Sequence, residues 1–186
     1  MNKRLKKGDR APNFSATDVK GKAVSLDNFD GKTVLMVFLR YSGCPWCNLA
    51  IHRLTVEYPL LKKSGCEVVA FIQSKPEEII KNIYERHAKK PLFPIIADPD
   101  MKIYQKYYIK NSKAAFARSI TKIPSWVHAV KDHGFTQQKI EGHLFLVPAS
   151  FLVDGTRKKI INAKYATSFY EHETFTDIYE ALTFTG

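Results

Sequence analysis

The stretch Val34-Leu35-Met36-Val37-Phe38-Leu39 followed by Arg40-Tyr41-Ser42-Gly43-Cys44-Pro45-Trp46-Cys47 decides how this chain is read. An unbroken run of β-branched and large apolar side chains reads as a strand buried on both faces. Tyr41-Ser42-Gly43 breaks that strand, and Pro45 opens a helix that continues through Asn48-Leu49-Ala50-Ile51-His52-Arg53-Leu54. Proline suits the first helical position, where its missing N–H would have had no partner. Cys44 then falls at the N-cap and Cys47 on the first turn. Both sulfurs sit where unpaired N–H groups and the positive helix end favour a negative charge. That environment lowers a thiol pKa and raises the thiolate fraction, which is the reactive form.

Two cysteines at this spacing, at a helix start after a strand, can close a disulfide and read as a redox motif of the thioredoxin type. Two alternatives stand beside that reading: buried structural thiols, or half of a zinc site. A zinc site normally takes four ligands; here no second cysteine pair exists, Cys66 is alone and the six histidines are scattered.

The 186 residues suffice for one domain with a real core. A hydrophobic fraction of 45% with 12% aromatics is that of an ordinary globular protein. No apolar run reaches the roughly 20 residues of a membrane helix, and the basic start Met1-Asn2-Lys3-Arg4-Leu5-Lys6-Lys7-Gly8 lacks the apolar core of a signal peptide. The expectation is a soluble, cytoplasmic protein with no membrane partner. Three cysteines argue against a disulfide-stapled secreted scaffold. The net charge of +11 comes in doublets such as Lys62-Lys63 and Lys89-Lys90, mostly at helix ends or turns. No nucleic-acid motif accompanies them, so nucleic acid is not expected as a partner.

Along the chain, Ala16 to Leu26 reads as two short strands around a turn at Lys20-Gly21. The helix from Pro45 carries Cys47, Ile51, Leu54, Tyr58 and Leu61 on one face, and Pro59 is expected to kink or end it. Glu67-Val68-Val69-Ala70-Phe71-Ile72 is a second buried strand. Ser74 reads as the cap of a helix with an inward stripe of Ile79, Ile80, Ile83, Tyr84 and His87, with His87 near a carbonyl at the helix end. Phe93 to Asp98 is a third strand, and Asp98 caps a helix through Tyr108. Strands alternating with helices indicate an α/β fold. Residues 110–143 show no strand signal and are too long for a bare loop, so they read as a partly helical insertion whose clear pattern is Ile123, Trp126, Val127 and Val130. A strand over 144–153, a turn at Asp154-Gly155 and a strand over 158–163 form a hairpin, and a helix over 174–182 ends the chain.

These residues resemble the thioredoxin fold: a central mixed sheet flanked by helices, here with an N-terminal β extension. The resemblance spans roughly residues 8–184 apart from 110–143, and implies a single thioredoxin-like domain over 1–186. More narrowly, Gly8-Asp9-Arg10-Ala11-Pro12-Asn13-Phe14, Ile96-Ala97-Asp98-Pro99-Asp100 and the tail Ala163-Lys164-Tyr165 resemble the peroxiredoxin-like branch of the alkyl hydroperoxide reductase/thiol-specific antioxidant superfamily. Three positions depart from it. Counting back from Cys47, Arg40 and Cys44 stand where peroxiredoxins have Pro and Thr or Ser. Counting back from Phe151, Pro148 stands where they have Arg, as in thioredoxins facing their cysteine pair.

The resemblance implies a thiol oxidoreductase acting on a peroxide or a protein disulfide in antioxidant defence. It implies no cofactor beyond a redox-active Cys44–Cys47 disulfide, and a thioredoxin- or glutathione-type thiol as reductant. A homodimer is a further expectation. Cys44, the more exposed thiol, would attack and Cys47 would resolve the product. Arg40 would face the site, with a solvated strand-end arginine as the alternative; Tyr41 would cover Cys44 or simply pack. Pro45 starts the helix, and Trp46 is read as a surface contact beside the site. Val147 and Pro148 would shape it, with Pro148 cis. Cys66 reads as an ordinary buried residue. The rival is a non-catalytic module in which the basic, aromatic 110–143 segment docks a partner.

Overall fold

The computed structural model describes residues 4–120, 127, 130–169, 171, 178–180 and 182. The buried runs become the centre of a five-stranded sheet: β3 (Thr33–Leu39), β4 (Cys66–Ile72), β5 (Ile95–Ala97), β6 (Ala149–Asp154) and β7 (Lys159–Tyr165) lie in the order β5-β4-β3-β6-β7. β3, β4 and β5 run parallel, and β6 and β7 return antiparallel. The N-terminal strands β1 (Ser15–Thr17) and β2 (Ala23–Ser25) pair separately.

Strand alternation divides the core into two layers. Leu35, Val37 and Leu39 of β3 face Ile51, Leu54 and Leu61 of α1 (Pro45–Lys63). Val34, Met36 and Phe38 face the other way, toward Phe14, Tyr104 and Tyr107. There Phe38 stacks on Phe71 with ring centres 4.5 Å apart and meets Tyr104 edge-on at 5.1 Å. Phe38 is therefore an aromatic core residue at the centre of that layer. Asp98 holds the start of α3 (Lys102–Lys106), its carboxylate accepting the N–H groups of Lys102, Ile103 and Tyr104.

Several expectations need correction. Helix α1 runs unbroken through Pro59, whose ring lies on the exposed side of the helix. Ser74 does not cap α2 (Pro76–Ile79), because its hydroxyl accepts the Ser42 N–H at 2.9 Å instead. Downstream, Ile80–Tyr84 form a π turn. Its extra residue rotates the register, leaving Ile80 exposed and turning Asn82 into the interior. Sequence periodicity gave no hint of α4 (Lys113–Ile120). Val127 and Val130 are helical as expected, while Ile123 and Trp126 lie outside the described residues. The hairpin strand begins at Ala149 rather than Leu144. Of the C-terminal helix, 178–180 and 182 are helical and 174–177 lie outside the described residues.

No described helix is long and apolar enough to cross a membrane.

Candidate active site

The parallel strands deliver the Arg40–Cys47 turn to the C-terminal edge of the sheet. Gln73 N–H donates to the Arg40 carbonyl at 3.0 Å, which extends the β3–β4 pairing just past both strands. Cys44 is the N-cap of α1 with extended backbone (φ −81°, ψ 125°), and Pro45 follows at the first position. Cys44 and Cys47 are in the dithiol form and both are 1% exposed. Cys66 stands at the far end of β4, paired with Thr33. The length of β3 puts it roughly 20 Å from the turn, too far for a disulfide with either partner.

Cys44 is thus not the more exposed thiol that its N-cap position suggests. The C-terminal limb of the 110–143 segment lies over it. Gln138 N–H donates to the Gly43 carbonyl at 2.9 Å, and the Tyr41 hydroxyl donates to Gln137 Oε1 at 3.3 Å. Gln73 clamps the end of the limb, giving Nε2–H to the His143 carbonyl at 3.0 Å and accepting the His143 N–H at 2.8 Å. Gly43 is required by this closeness. A Cβ there would lie 2.8 Å from the Lys139 carbonyl oxygen and 2.9 Å from Gln138 Cβ. Gly43→Ala is therefore expected to lift the limb and speed alkylation of Cys44 by a bulky maleimide several-fold. An unchanged rate would show that the limb does not limit access.

Arg40 faces the sulfur. Its guanidinium is part of a side chain only 2% exposed; Nη1 donates to Cys44 Sγ at 3.4 Å and Nη2 to the Leu144 carbonyl at 2.7 Å. The cation rests on the Phe169 ring, 3.7 Å from its centre, with the Tyr41 ring at 5.1 Å. Neither hydrogen bond goes to a carboxylate. Among the described residues, the anion within hydrogen-bond reach of this buried cation is the Cys44 thiolate.

Burial opposes ionisation of Cys44, but four favourable contacts outweigh it. The Cys47 thiol, the Arg40 charge and the Cys47 and Trp46 N–H groups bring the Cys44 pKa down to about 6. Cys47 goes the other way, held protonated by burial and by the neighbouring Cys44 charge. One helix turn thus carries a thiolate and a thiol. The Tyr41 hydroxyl, pushed up to about 12 by burial and the Cys44 charge, stays protonated. The rate of Cys44 with a small oxidant or alkylator should rise with pH through about 6 and then level off. A rise centred near the ordinary thiol pKa of about 8.5 would contradict this environment. The same shift links to stability. Folding lowers this pKa, so the thiolate adds stability that is present above the unfolded value and is lost as pH falls through about 6.

The remaining expected residues divide. Trp46 is half-buried rather than a surface contact, packing against Val147, Ala166 and Phe169 as well as the α1 face. Pro148 is trans, as is every other described peptide bond. Trans is the default even before proline, by about 0.5–1 kcal/mol, and here the Pro148 carbonyl accepts the Ala166 N–H at 3.0 Å. Pro148 lines a separate cleft of about 200 Å³ with Arg4, Tyr108 and Tyr165.

Sequence reading missed the buried polar residues beneath the turn. Asn48 Nδ2 donates to the carbonyls of Ser42 (2.6 Å) and Cys44 (3.0 Å), and Asn82 Nδ2 to Ser42 Oγ (3.0 Å). His87 meets Asn48 Oδ1 at 2.8 Å instead of ending a helix beside a carbonyl. One signal was available: Asn48 lies one helical turn after Cys44, at the spacing that lets its side chain reach back to the turn. Among the described residues, no His, Cys, Asp and Glu are grouped to hold a metal.

Residues 7–162 match the AhpC/TSA family. The chain is 31% identical over 117 residues to peroxiredoxin Bcp of Escherichia coli K12, covering 62% of this chain and 72% of that protein. It is 30% identical over 139 residues to the thiol-disulfide oxidoreductase ResA of Bacillus cereus, covering 74% and 76%. In fold it is similar to a mutant of peroxiredoxin 6 of Arenicola marina (TM-score 0.71, 14% identity, 96% of this chain and 72% of that one). A thiol:disulfide interchange protein DsbE of Chlorobium tepidum is also similar (TM-score 0.64, 20% identity, 96% and 99%). A sheet of thioredoxin type, a cysteine pair at a helix start and a family match across most of the chain agree: the protein belongs to the AhpC/TSA family and is a thiol-based oxidoreductase.

Proposed function

We propose that the protein reduces small hydroperoxides, with Cys44 as the attacking thiolate and Cys47 as the resolving thiol. The observation that carries this reading is the 1% exposure of a Cys44 sulfur in contact with Arg40. A hydroperoxide is small enough to reach a covered thiolate, whereas a protein disulfide needs an open sulfur. Cys44 S⁻ attacks one peroxide oxygen, the O–O bond breaks, and the other oxygen leaves as hydroxide or alkoxide that takes up a proton. The resulting Cys44 sulfenic acid is then attacked by Cys47, giving the Cys44–Cys47 disulfide and water. Arg40, a fixed buried cation, stabilises the thiolate and the charge that develops on the leaving oxygen. Two electrons leave the sulfur pair; a small glutathione-type thiol returns them directly, and a thioredoxin-type thiol does so once the cover over the oxidised pair opens. That requirement is met in a reducing compartment such as the cytoplasm.

The test is product identity. Reduced protein is treated with one equivalent of hydrogen peroxide, then digested without reductant and analysed by mass spectrometry. The expected product is a disulfide joining Cys44 and Cys47. A stable sulfenic acid on Cys44, or a bridge to Cys66, would overturn the assignment of Cys47.

A further inference from the structure

We infer that His87 and Asn48 are a positioning pair for the reaction, a buried relay that fixes the backbone of the cysteine turn and so holds Cys44 Sγ at the positive start of α1. The inference rests on Cys44 being the reacting thiol. It begins with hydrogen-bond capacity. Carbonyl oxygens only accept, so the Ser42 and Cys44 carbonyls, 2.6 and 3.0 Å away, must both be met by the amide nitrogen of Asn48. Both of its hydrogens are then used, and Oδ1 is left facing His87 Nε2 at 2.8 Å. An amide oxygen can only accept, so that nitrogen carries the hydrogen. The tautomer of His87 is thereby set by the carbonyls of the active-site turn, two hydrogen bonds away.

The other side of the ring explains why His87 stays neutral. Nδ1 is buried with no hydrogen-bond partner among the described residues. Phe135 of the covering limb stacks on the imidazole, ring centres 4.5 Å apart and planes within 25°. His52 from α1 lies 6.4 Å away and itself packs on His133 at 4.5 Å. Burial, with His52, Arg86, Lys90 and His133 around it, holds the imidazole down to about 4. A second proton would need a place in apolar surroundings among positive neighbours. His87 is therefore a fixed donor, not an acid or a base, and the limb over Cys44 supplies the ring that seats it.

The consequence falls on the sulfur. The Cys44 carbonyl receives both the Asn48 side chain and the Asn48 backbone N–H, each at 3.0 Å. With Ser42 held by the same amide, the turn has little freedom, and Cys44 stays seated at the N-cap of α1, where the positive helix end favours the thiolate. Without the His87 donor, Asn48 can rotate and release one carbonyl.

The test reads the thiolate directly, by its ultraviolet absorbance against pH and by iodoacetamide alkylation, with folding followed by circular dichroism. His87→Phe keeps a flat ring but removes the donor. The Cys44 titration is expected to move up by about one pH unit, the size of one hydrogen bond, so that alkylation at about pH 5 slows about tenfold. His87→Gln, which can present an N–H to Asn48, should recover most of that rate. A folded His87→Phe variant titrating as wild type would overturn the proposal, as would a Gln variant no better than Phe. Should His87→Phe not fold, nitrogen-15 NMR of histidine-labelled wild-type protein decides: the hydrogen is expected on Nε2, and an Nδ1–H tautomer would refute the relay. These readouts use no peroxide. A Cys44 inert to peroxide but shifted in the His87 variants would end the peroxidase reading and leave the relay standing.

Discussion

Replacing Cys44 by serine is expected to remove peroxide reduction altogether, a loss of at least about a thousandfold, because a hydroxyl has no comparable anion at neutral pH. Cys47→Ser separates the two sulfurs. Its Cys44 should still react once with peroxide, stop at the sulfenic acid and fail to turn over with a thiol reductant. The measurement is peroxide loss over time, with dimedone trapping to detect the sulfenic acid. Turnover by Cys44→Ser would move the nucleophile elsewhere. Turnover by Cys47→Ser would mean that an external thiol resolves the intermediate directly.

Arg40→Met is expected to have the next largest effect. The unbranched thioether fills the space on Phe169 while removing the charge and both hydrogen bonds. A hydrogen bond to a charged group contributes about 1.5–3 kcal/mol, and each 1.4 kcal/mol is tenfold, so peroxide reactivity at pH 7 should fall about tenfold to a hundredfold. The pH profile should also shift upward, because the cation no longer favours the thiolate. Stability should change less than for most buried charges. Arg40 donates to a sulfur and a carbonyl, and the thiolate that its removal leaves unpaired can take up a proton, which a buried carboxylate at neutral pH does less readily. Arg40→Lys is the sharper control. An ammonium keeps the charge but cannot span Cys44 and Leu144 with a planar fork, so intermediate reactivity is expected. Wild-type reactivity in Arg40→Met would remove Arg40 from the mechanism.

The limb over Cys44 also bears on the rival reading in which residues 110–143 dock a partner. Gln137, Gln138 and His143 are engaged by Tyr41, Gly43 and Gln73. The surface of this limb that faces the sheet is therefore occupied by the cysteine turn.

Sheet and site differ in how much of each was legible in the sequence. Val34–Leu39 and Val68–Ile72 announce themselves because a strand buried on both faces needs apolar residues at every position. Cys44, Pro45 and Cys47 are equally legible, since N-cap and first-turn chemistry are local. What covers and supports them is not local. Leu144, Phe169 and Gln138 reach the site from far along the chain, and nothing in their immediate neighbours marks them. His87 was misread for a related reason. The π turn at Ile80–Tyr84 breaks the 3.6-residue period on which its placement depended, so a position counted toward a helix end became a partner for Asn48. Pro148 looked like the proline of the thioredoxin pattern, yet a one-residue match could not carry the peptide geometry with it.

The central claim, that a covered thiolate beside Arg40 is built for small peroxides, is tested most directly by comparing two oxidants on the wild-type protein. Reduced protein is mixed in a stopped-flow instrument with hydrogen peroxide or with an oxidised protein disulfide, and tryptophan fluorescence reports each reaction. The prediction is rapid oxidation by peroxide and slow exchange with the protein disulfide. Rapid exchange with the disulfide and a sluggish reaction with peroxide would contradict it.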